Sequence, residues 1–96
     1  MKVYISGAMA SRPDTYKAIF DEAEAVFRKY GHIVLNPASL PKGLDHDRYM
    51  QICLAMIDAA DTVFMLAGWE ISAGARLERD YAKYQGKEIM YERDRQ

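Results

Sequence analysis

The sequence contains little of what marks a secreted, membrane or nucleic-acid-binding chain. Its one cysteine, Cys53, leaves no partner for an intramolecular disulfide and is typical of a reducing compartment. No apolar run is long enough to cross a bilayer, and the chain enters a strand-like segment at once, without a signal-peptide pattern. These absences predict a cytoplasmic protein with no membrane partner.

The chain also has no large excess of positive or negative charge. The formal net charge is −1, and the Lys and Arg residues do not cluster. Because a duplex-binding surface needs a basic stripe to neutralise phosphates, polymeric nucleic acid is not expected as a partner. A small anionic ligand needs only one local site, so this composition does not exclude one.

What the chain does have is enough apolar residues for one core. Half of its 96 residues are hydrophobic, which predicts a single domain over residues 1–96 and leaves too little length for two independent cores. A lone domain of this size is only modestly stable, and self-association would add to that stability.

Short β-branched and aromatic runs alternate with amphipathic helical patterns along the chain. The first helix is predicted to begin at Asp14 or Thr15, the second at Asp45 or Asp47, and the third at Ser72. This order predicts an α/β fold with a four-stranded parallel sheet, helices on both faces, right-handed crossovers and strand order 2-1-3-4. The predicted strands are residues 2–6, 32–35, 61–66 and 87–91, followed by a charged and frayed tail at 92–96.

The segment 68–78 reads as a short loop that leads from the third strand into the third helix. Ser72 is a suitable N-cap, and the small residues that follow leave the first helical turn open to an anion such as a phosphate. Ligands bind at this edge of a parallel sheet.

Glu78 falls on the apolar arc of that helix, together with Tyr81 and Ala82, when residues are placed about 100° apart. A carboxylate on a core-facing stripe loses hydration unless a partner, water or a ligand cleft receives it. Two interpretations follow: Glu78 pairs with a nearby Arg or hydroxyl, or it faces a pocket.

The pattern Gly-Trp-Glu-x-Ser-x-Gly-Ala-x-x-Glu at 68–78, with Met-Lys-Val-Tyr-Ile-Ser-Gly at 1–7, resembles the nucleoside 2-deoxyribosyltransferase-like superfamily. Within it, the chain is similar to a family of small domains. The resemblance covers nearly the whole chain and implies a flavodoxin-like three-layer sandwich.

The resemblance also implies a function: cleavage of the N-glycosidic bond of a deoxynucleoside or its 5′-monophosphate, by transfer to another base or by hydrolysis. It implies that Glu78 is the nucleophile, that no cofactor is used, and that the active form is a homo-oligomer whose neighbouring subunits complete the pocket. The substrate-binding residues that it implies are Tyr4, Gly7, Met9, Ser72 and Gly74.

Two departures from the family pattern bear on these expectations. Relatives carry an Asp on the second helix that helps to protonate the departing base, and Cys53 stands at that position; a thiol there resembles a small core residue. The acid is therefore left open between Asp47, His46, Glu70 and a water.

The second departure is in the loop after Gly7, which has Ala8 where many relatives have Pro, and Ala10-Ser11 where they have a Thr-Gly or Arg-Gly pair. Arg12 either supplies charge for a phosphate or is a solvated loop cation.

Other side chains leave alternatives as well. Trp69 could stack on a nucleobase or pack at a subunit interface. His46 stands between Asp45 and Asp47, but sequential neighbours on a helix diverge, so no metal site is predicted. The rival to an enzyme is a catalytically inactive nucleotide-binding or regulatory module, which Cys53 favours. A structural oligomerisation domain would have no use for an inward Glu78.

Overall fold

The computed structural model describes residues 1–93, in which four parallel strands form one sheet in the order β2-β1-β3-β4. The strands are β1 Lys2–Ser6, β2 Ile33–Leu35, β3 Thr62–Met65 and β4 Glu88–Tyr91. The predicted α/β fold, sheet and strand order are confirmed. Residues 94–96 of the predicted tail lie outside the described part of the chain.

Three helices cover the two faces of the sheet and complete the flavodoxin-like three-layer sandwich. Helix α1 (Tyr16–Lys29) packs on one face, while α2 (His46–Ala59) and α3 (Ala73–Tyr84) pack on the other. Each face has its own apolar cluster. Ile5, Phe20, Ala38 and Leu66 form the cluster on the α1 side, and Tyr4, Cys53, Ile57, Ala60, Val63, Met65, Ala75 and Ala82 form the other. No helix within residues 1–93 has both the length and the apolar character that crossing a membrane requires.

The three helices begin at predicted positions, but only one of the three N-cap side chains forms a hydrogen bond with its helix. Ser72 Oγ accepts a hydrogen bond from the backbone N–H of Ala75 at 3.1 Å. Thr15 and Asp45 occupy the N-cap positions of α1 and α2 without a side-chain hydrogen bond to the helix. The start of α3 is therefore the one of these three with a side-chain cap.

Two short 3-10 turns, Pro37–Ser39 and Trp69–Ile71, lie in the connections that follow β2 and β3. The first forms because Asn36 accepts a hydrogen bond from the backbone N–H of Ala38 at 2.9 Å. The second follows Gly68, which has a φ of 86° that suits glycine. This second turn brings the chain from the end of β3 to the start of α3.

Strand β1 lies at the centre of the sheet and alternates its side chains between the two faces. Ile5 joins the cluster on the α1 side, whereas Tyr4 and Ser6 face α3 and are fully buried. Ser6 is in register with Met65 of β3, so the carboxyl ends of the two central strands lie side by side. A buried hydroxyl therefore lies where loops from both strands meet.

Candidate active site

Glu78 projects from α3 onto the central strand β1. Glu78 is only 6% exposed, and both of its carboxylate oxygens accept hydrogen bonds. Ser6 Oγ donates to Oε1 at 2.7 Å, and the Tyr4 hydroxyl donates to Oε2 at 2.9 Å. The carboxylate is therefore fixed in position and orientation by two donors on neighbouring positions of one strand face.

Burial raises the pKa of Glu78, while the hydrogen bonds from Ser6 and Tyr4 act in the opposite direction. Ion pairs such as Lys17–Asp21, Arg28–Glu24 and Arg79–Asp80 lie elsewhere on the surface. Of the partners that the sequence left open for Glu78, the structure provides hydroxyl groups.

The carboxylate also lines a cavity of about 380 Å³, within the range of about 300–1,000 Å³ that is usual for small-molecule sites. Both interpretations of Glu78 are thus true at once. The structure brings all six residues of the predicted site to this one cavity: Tyr4, Gly7, Met9, Ser72, Gly74 and Glu78. They come from β1, the loop after it, and α3 with its N-cap.

The two glycines of the cavity differ in what surrounds them. A Cβ atom on Gly7 would lie 2.9 Å from Leu66 Cδ1, which is buried, so the backbone packs too closely there for a side chain. A Cβ atom on Gly74 would find its nearest neighbours at 3.9 Å, in Met50 and Ser72. Packing against Leu66 therefore favours glycine at position 7, whereas a methyl group on Gly74 would meet its neighbours at ordinary van der Waals distances.

Ser6 is a functional candidate that the sequence analysis did not select. A serine at the end of a strand is ordinary, and Ser6 entered only as part of the motif at 1–7, between the predicted site residues Tyr4 and Gly7. The available signal was its spacing from Tyr4, because residues i and i+2 of a strand share a face. If the face of β1 that carries Tyr4 is known to contact α3, then Ser6 on the same face is a predicted partner of Glu78.

Cys53 does not line the cavity, although it lies behind the carboxylate. It is fully buried in the apolar cluster, and its thiol interacts with Tyr4 and Glu78. Burial raises the pKa of Cys53 to about 11. The thiol therefore resembles the core residue that the sequence predicted, and burial makes it a weaker acid than an ordinary thiol.

The open candidates for the acid are separated by their positions. His46, in the first turn of α2, is exposed and lines the cavity. Asp47 and Glu70 are exposed and lie outside the cavity lining. Trp69 also lies outside it, since its ring packs on Tyr91 at 5.8 Å between centroids and receives the Arg79 guanidinium at 5.1 Å.

Arg12 does not reach this cavity. It lines a second and larger cavity of about 690 Å³ on the α1 side of the sheet, with Phe27 and Phe64 in the apolar wall. Its Nε donates to the carbonyl of Ala8 at 2.9 Å, and its buried Nη2 has no hydrogen-bond partner within residues 1–93. Arg12 is thus partly buried and stabilises the loop after β1 through its bond to Ala8, away from Glu78.

Across residues 1–93, no three His, Cys, Asp or Glu side chains converge in the way that metal ligands do. The polar groups that the Glu78 cavity offers are hydroxyls, one imidazole, one carboxylate and the backbone at the start of α3. This set suits a neutral, hydroxyl-rich ligand or an anion at the helix start.

Among solved structures, the chain is similar to a 2-desoxiribosyltransferase from Leishmania mexicana, with a TM-score of 0.76 and 21% sequence identity. The match covers 94% of this chain and 62% of that chain. The chain therefore spans less than two thirds of that protein's length. At this identity the likeness is one of fold.

No curated protein matches the sequence significantly. A family model does, and its description reads "Domain of unknown function (DUF4406)", with residues 1–91 matched. Since this match spans nearly the whole chain, the protein belongs to the DUF4406 family.

Proposed function

We propose that the chain cleaves the N-glycosidic bond of a deoxynucleoside or its 5′-monophosphate, with Glu78 as the nucleophile. The observation that carries this proposal is a buried carboxylate whose two oxygens are held by neutral donors in the wall of a nucleoside-sized cavity. The fold that the chain shares with a 2-desoxiribosyltransferase supports the same conclusion.

The reaction follows a retaining route. A carboxylate offers about four lone-pair sites, and Ser6 and Tyr4 occupy two of them. One of the others attacks C1′ of the sugar as the bond from C1′ to the base breaks. The resulting glycosyl-enzyme ester is then opened by a second base, which gives transfer, or by water, which gives hydrolysis.

The remaining residues of the proposed site bind and position the substrate. Tyr4 and Ser6 hold Glu78, while Gly7 and Met9 form the wall contributed by the loop after β1. Met9 is itself held in place, because its sulfur accepts a hydrogen bond from the Tyr49 hydroxyl at 3.0 Å. Ser72 and Gly74 bring the first-turn N–H groups of α3 to the sugar or its 5′ substituent.

The test is release of free base from a panel of deoxynucleosides and their 5′-monophosphates, measured by chromatography with and without a second base. Glu78→Gln should lower base release by about 10³-fold or more, because it removes the covalent nucleophile. Glu70→Gln, which removes an exposed carboxylate of the same region, is the matched control and should retain activity. Mass spectrometry of quenched wild-type reactions should find one deoxyribosyl group on Glu78. Base release that survives Glu78→Gln would contradict the proposal.

Cys53 favours a second candidate, a nucleotide-binding or regulatory module without turnover. The resemblance implies an Asp where this chain has a buried thiol, and loss of a general acid lowers rates by about 10²- to 10⁴-fold. Saturable binding of a deoxynucleoside by wild-type protein, with no base released over hours, would establish this module. If wild-type protein neither binds a deoxynucleoside nor releases base, a structural domain is favoured.

We further propose that the active form is a homo-oligomer, as the resemblance implies. The supporting feature is Ile71, which lines the cavity although it is 70% exposed. A neighbouring subunit that covered Ile71 would close the cavity and bury this side chain. Sedimentation of wild type and Ile71→Glu tests the point, and a monomeric wild-type protein would overturn it.

A further inference from the structure

The cavity that contains Glu78 also contains an imidazole, that of His46. We propose that His46 gives the proton that the departing base needs and takes one back from the incoming nucleophile. This inference rests on the function proposed above and assigns the acid that the sequence leaves open. By the resemblance stated above, relatives use an Asp for this task, at the position of Cys53 in α2.

Spacing along α2 separates His46 from Cys53, the residue of this helix that interacts with Glu78. His46, Tyr49, Met50 and Cys53 recur at helical spacing, which places them on one face. Cys53 interacts with the Glu78 carboxylate, and His46 lies two turns away, or roughly 10 Å along the helix axis. A nucleoside with C1′ at Glu78 and its long axis along α2 therefore brings its base to His46.

The other proton-bearing groups around Glu78 are poorly suited to the task. Burial raises the pKa of Tyr4 and of Tyr49, and that of Cys53 to about 11. Asp47 and Glu70 lie outside the cavity lining. Imidazole groups exchange protons near neutral pH, and the exposure of His46 lets it recover a proton from solvent.

The step balances in two halves. As the bond from Glu78 to C1′ forms, the bond from C1′ to the base nitrogen breaks and its electron pair passes to the base. The His46 imidazolium supplies a proton to a base ring nitrogen, so the base leaves neutral. In the second half, water or another base attacks C1′, loses its proton to the imidazole and frees the Glu78 carboxylate.

The experiment compares two leaving groups in wild type and His46→Gln. Deoxyguanosine needs a proton to leave well, whereas N7-methylated deoxyguanosine carries a positive charge on the base and leaves as a neutral molecule without one. We expect His46→Gln to lower kcat/KM by about 10²-fold or more for deoxyguanosine and by less than about threefold for the methylated substrate. Asp47→Asn, next to His46 but outside the cavity, is the matched control and should affect neither.

The pH profile gives an independent readout. For deoxyguanosine, any alkaline fall in wild-type activity that comes from the proposed acid should be absent in His46→Gln, because the variant has no acid at this position. The other titratable groups on the cavity are Glu78, Tyr4 and Tyr49, and Asp45, Asp47 and Arg48 flank His46 on its own segment.

The outcomes separate the two proposals. Base release that depends on Glu78, with equal losses for both substrates in His46→Gln, overturns the role of His46 and leaves the nucleophile in place. No release of base by wild type from these two substrates or from any member of the deoxynucleoside and 5′-monophosphate panel ends both proposals. A selective loss for deoxyguanosine, together with the loss of that alkaline fall in His46→Gln, establishes His46 as the acid.

Discussion

Glu78 is the residue at which burial and charge act against each other most directly. Removing a carboxylate from water is costly, and here two hydroxyl donors rather than a cation offset that cost. A cation would stabilise the charge more strongly but would also occupy the lone pairs that attack requires. Neutral donors leave the carboxylate both ordered and available, and they leave its pKa raised by burial.

The raised pKa of Glu78 predicts how stability depends on pH. A carboxyl group with a higher pKa in the folded than in the unfolded state contributes stability that is fully present below the ordinary Glu value of 4.5 and is lost as pH rises through the raised value. Relative to Glu78→Gln, wild type should therefore lose free energy of unfolding as the pH rises above 4.5. Urea titrations across pH 4 to about 8 would measure this. Glu70→Gln controls for loss of an exposed charge, and a pH-independent difference for Glu78→Gln would contradict the prediction.

At the scale of single elements, the start of α3 depends on its cap more than the start of α1 does. Ser72 Oγ accepts from the Ala75 N–H, whereas Thr15 makes no such bond. Ser72→Ala should lower the free energy of unfolding by about 1 kcal/mol, and Thr15→Ala should change it by less than about 0.5 kcal/mol. Urea midpoints of the two variants compare them directly. Equal losses would contradict the greater dependence of α3 on its cap.

The two glycines of the cavity should respond in opposite ways to the same added methyl group. Gly7→Ala forces a Cβ atom to 2.9 Å from Leu66 and should cost about 1–3 kcal/mol of stability. Gly74→Ala has room, and in a helix it should be neutral or stabilising by up to about 1 kcal/mol. Its methyl group enters the cavity, however, so nucleoside affinity should fall. Thermal unfolding and titration calorimetry measure the two effects, and unchanged affinity in Gly74→Ala would remove Gly74 from the site.

These elements also show what the sequence can and cannot predict. The strand order follows from right-handed crossovers, and the inward direction of Glu78 follows from the helical period, so both were predicted. The hydroxyl partner Ser6 was not, because that pairing depends on which strand face meets α3, far along the chain. The direction of Arg12 was equally out of reach, since it depends on how a loop packs rather than on any repeating pattern.

At the scale of the whole molecule, the cavity exists only because the sheet is assembled. Its walls come from β1 and the loop after it, from the first turn of α2 and from the start of α3. The central pairing of β1 with β3 brings these segments together, although they are distant in the sequence. A ligand of this cavity therefore binds the folded chain and has no equivalent site on the unfolded one.

This linkage predicts that a deoxynucleoside stabilises the whole domain, whether or not the protein turns it over. Glu78→Gln retains the cavity and stops cleavage, so it allows binding to be measured alone. At 100 times the dissociation constant the ligand should add about 2.7 kcal/mol, which for a domain of this size raises Tm by about 10 °C or more. Differential scanning calorimetry measures the shift. Val26→Ala, which alters the second cavity and not the first, should keep the shift, and Gly74→Ala should reduce it. If Val26→Ala abolishes the shift while Gly74→Ala preserves it, the nucleoside binds on the α1 side of the sheet, and Glu78 is not its site.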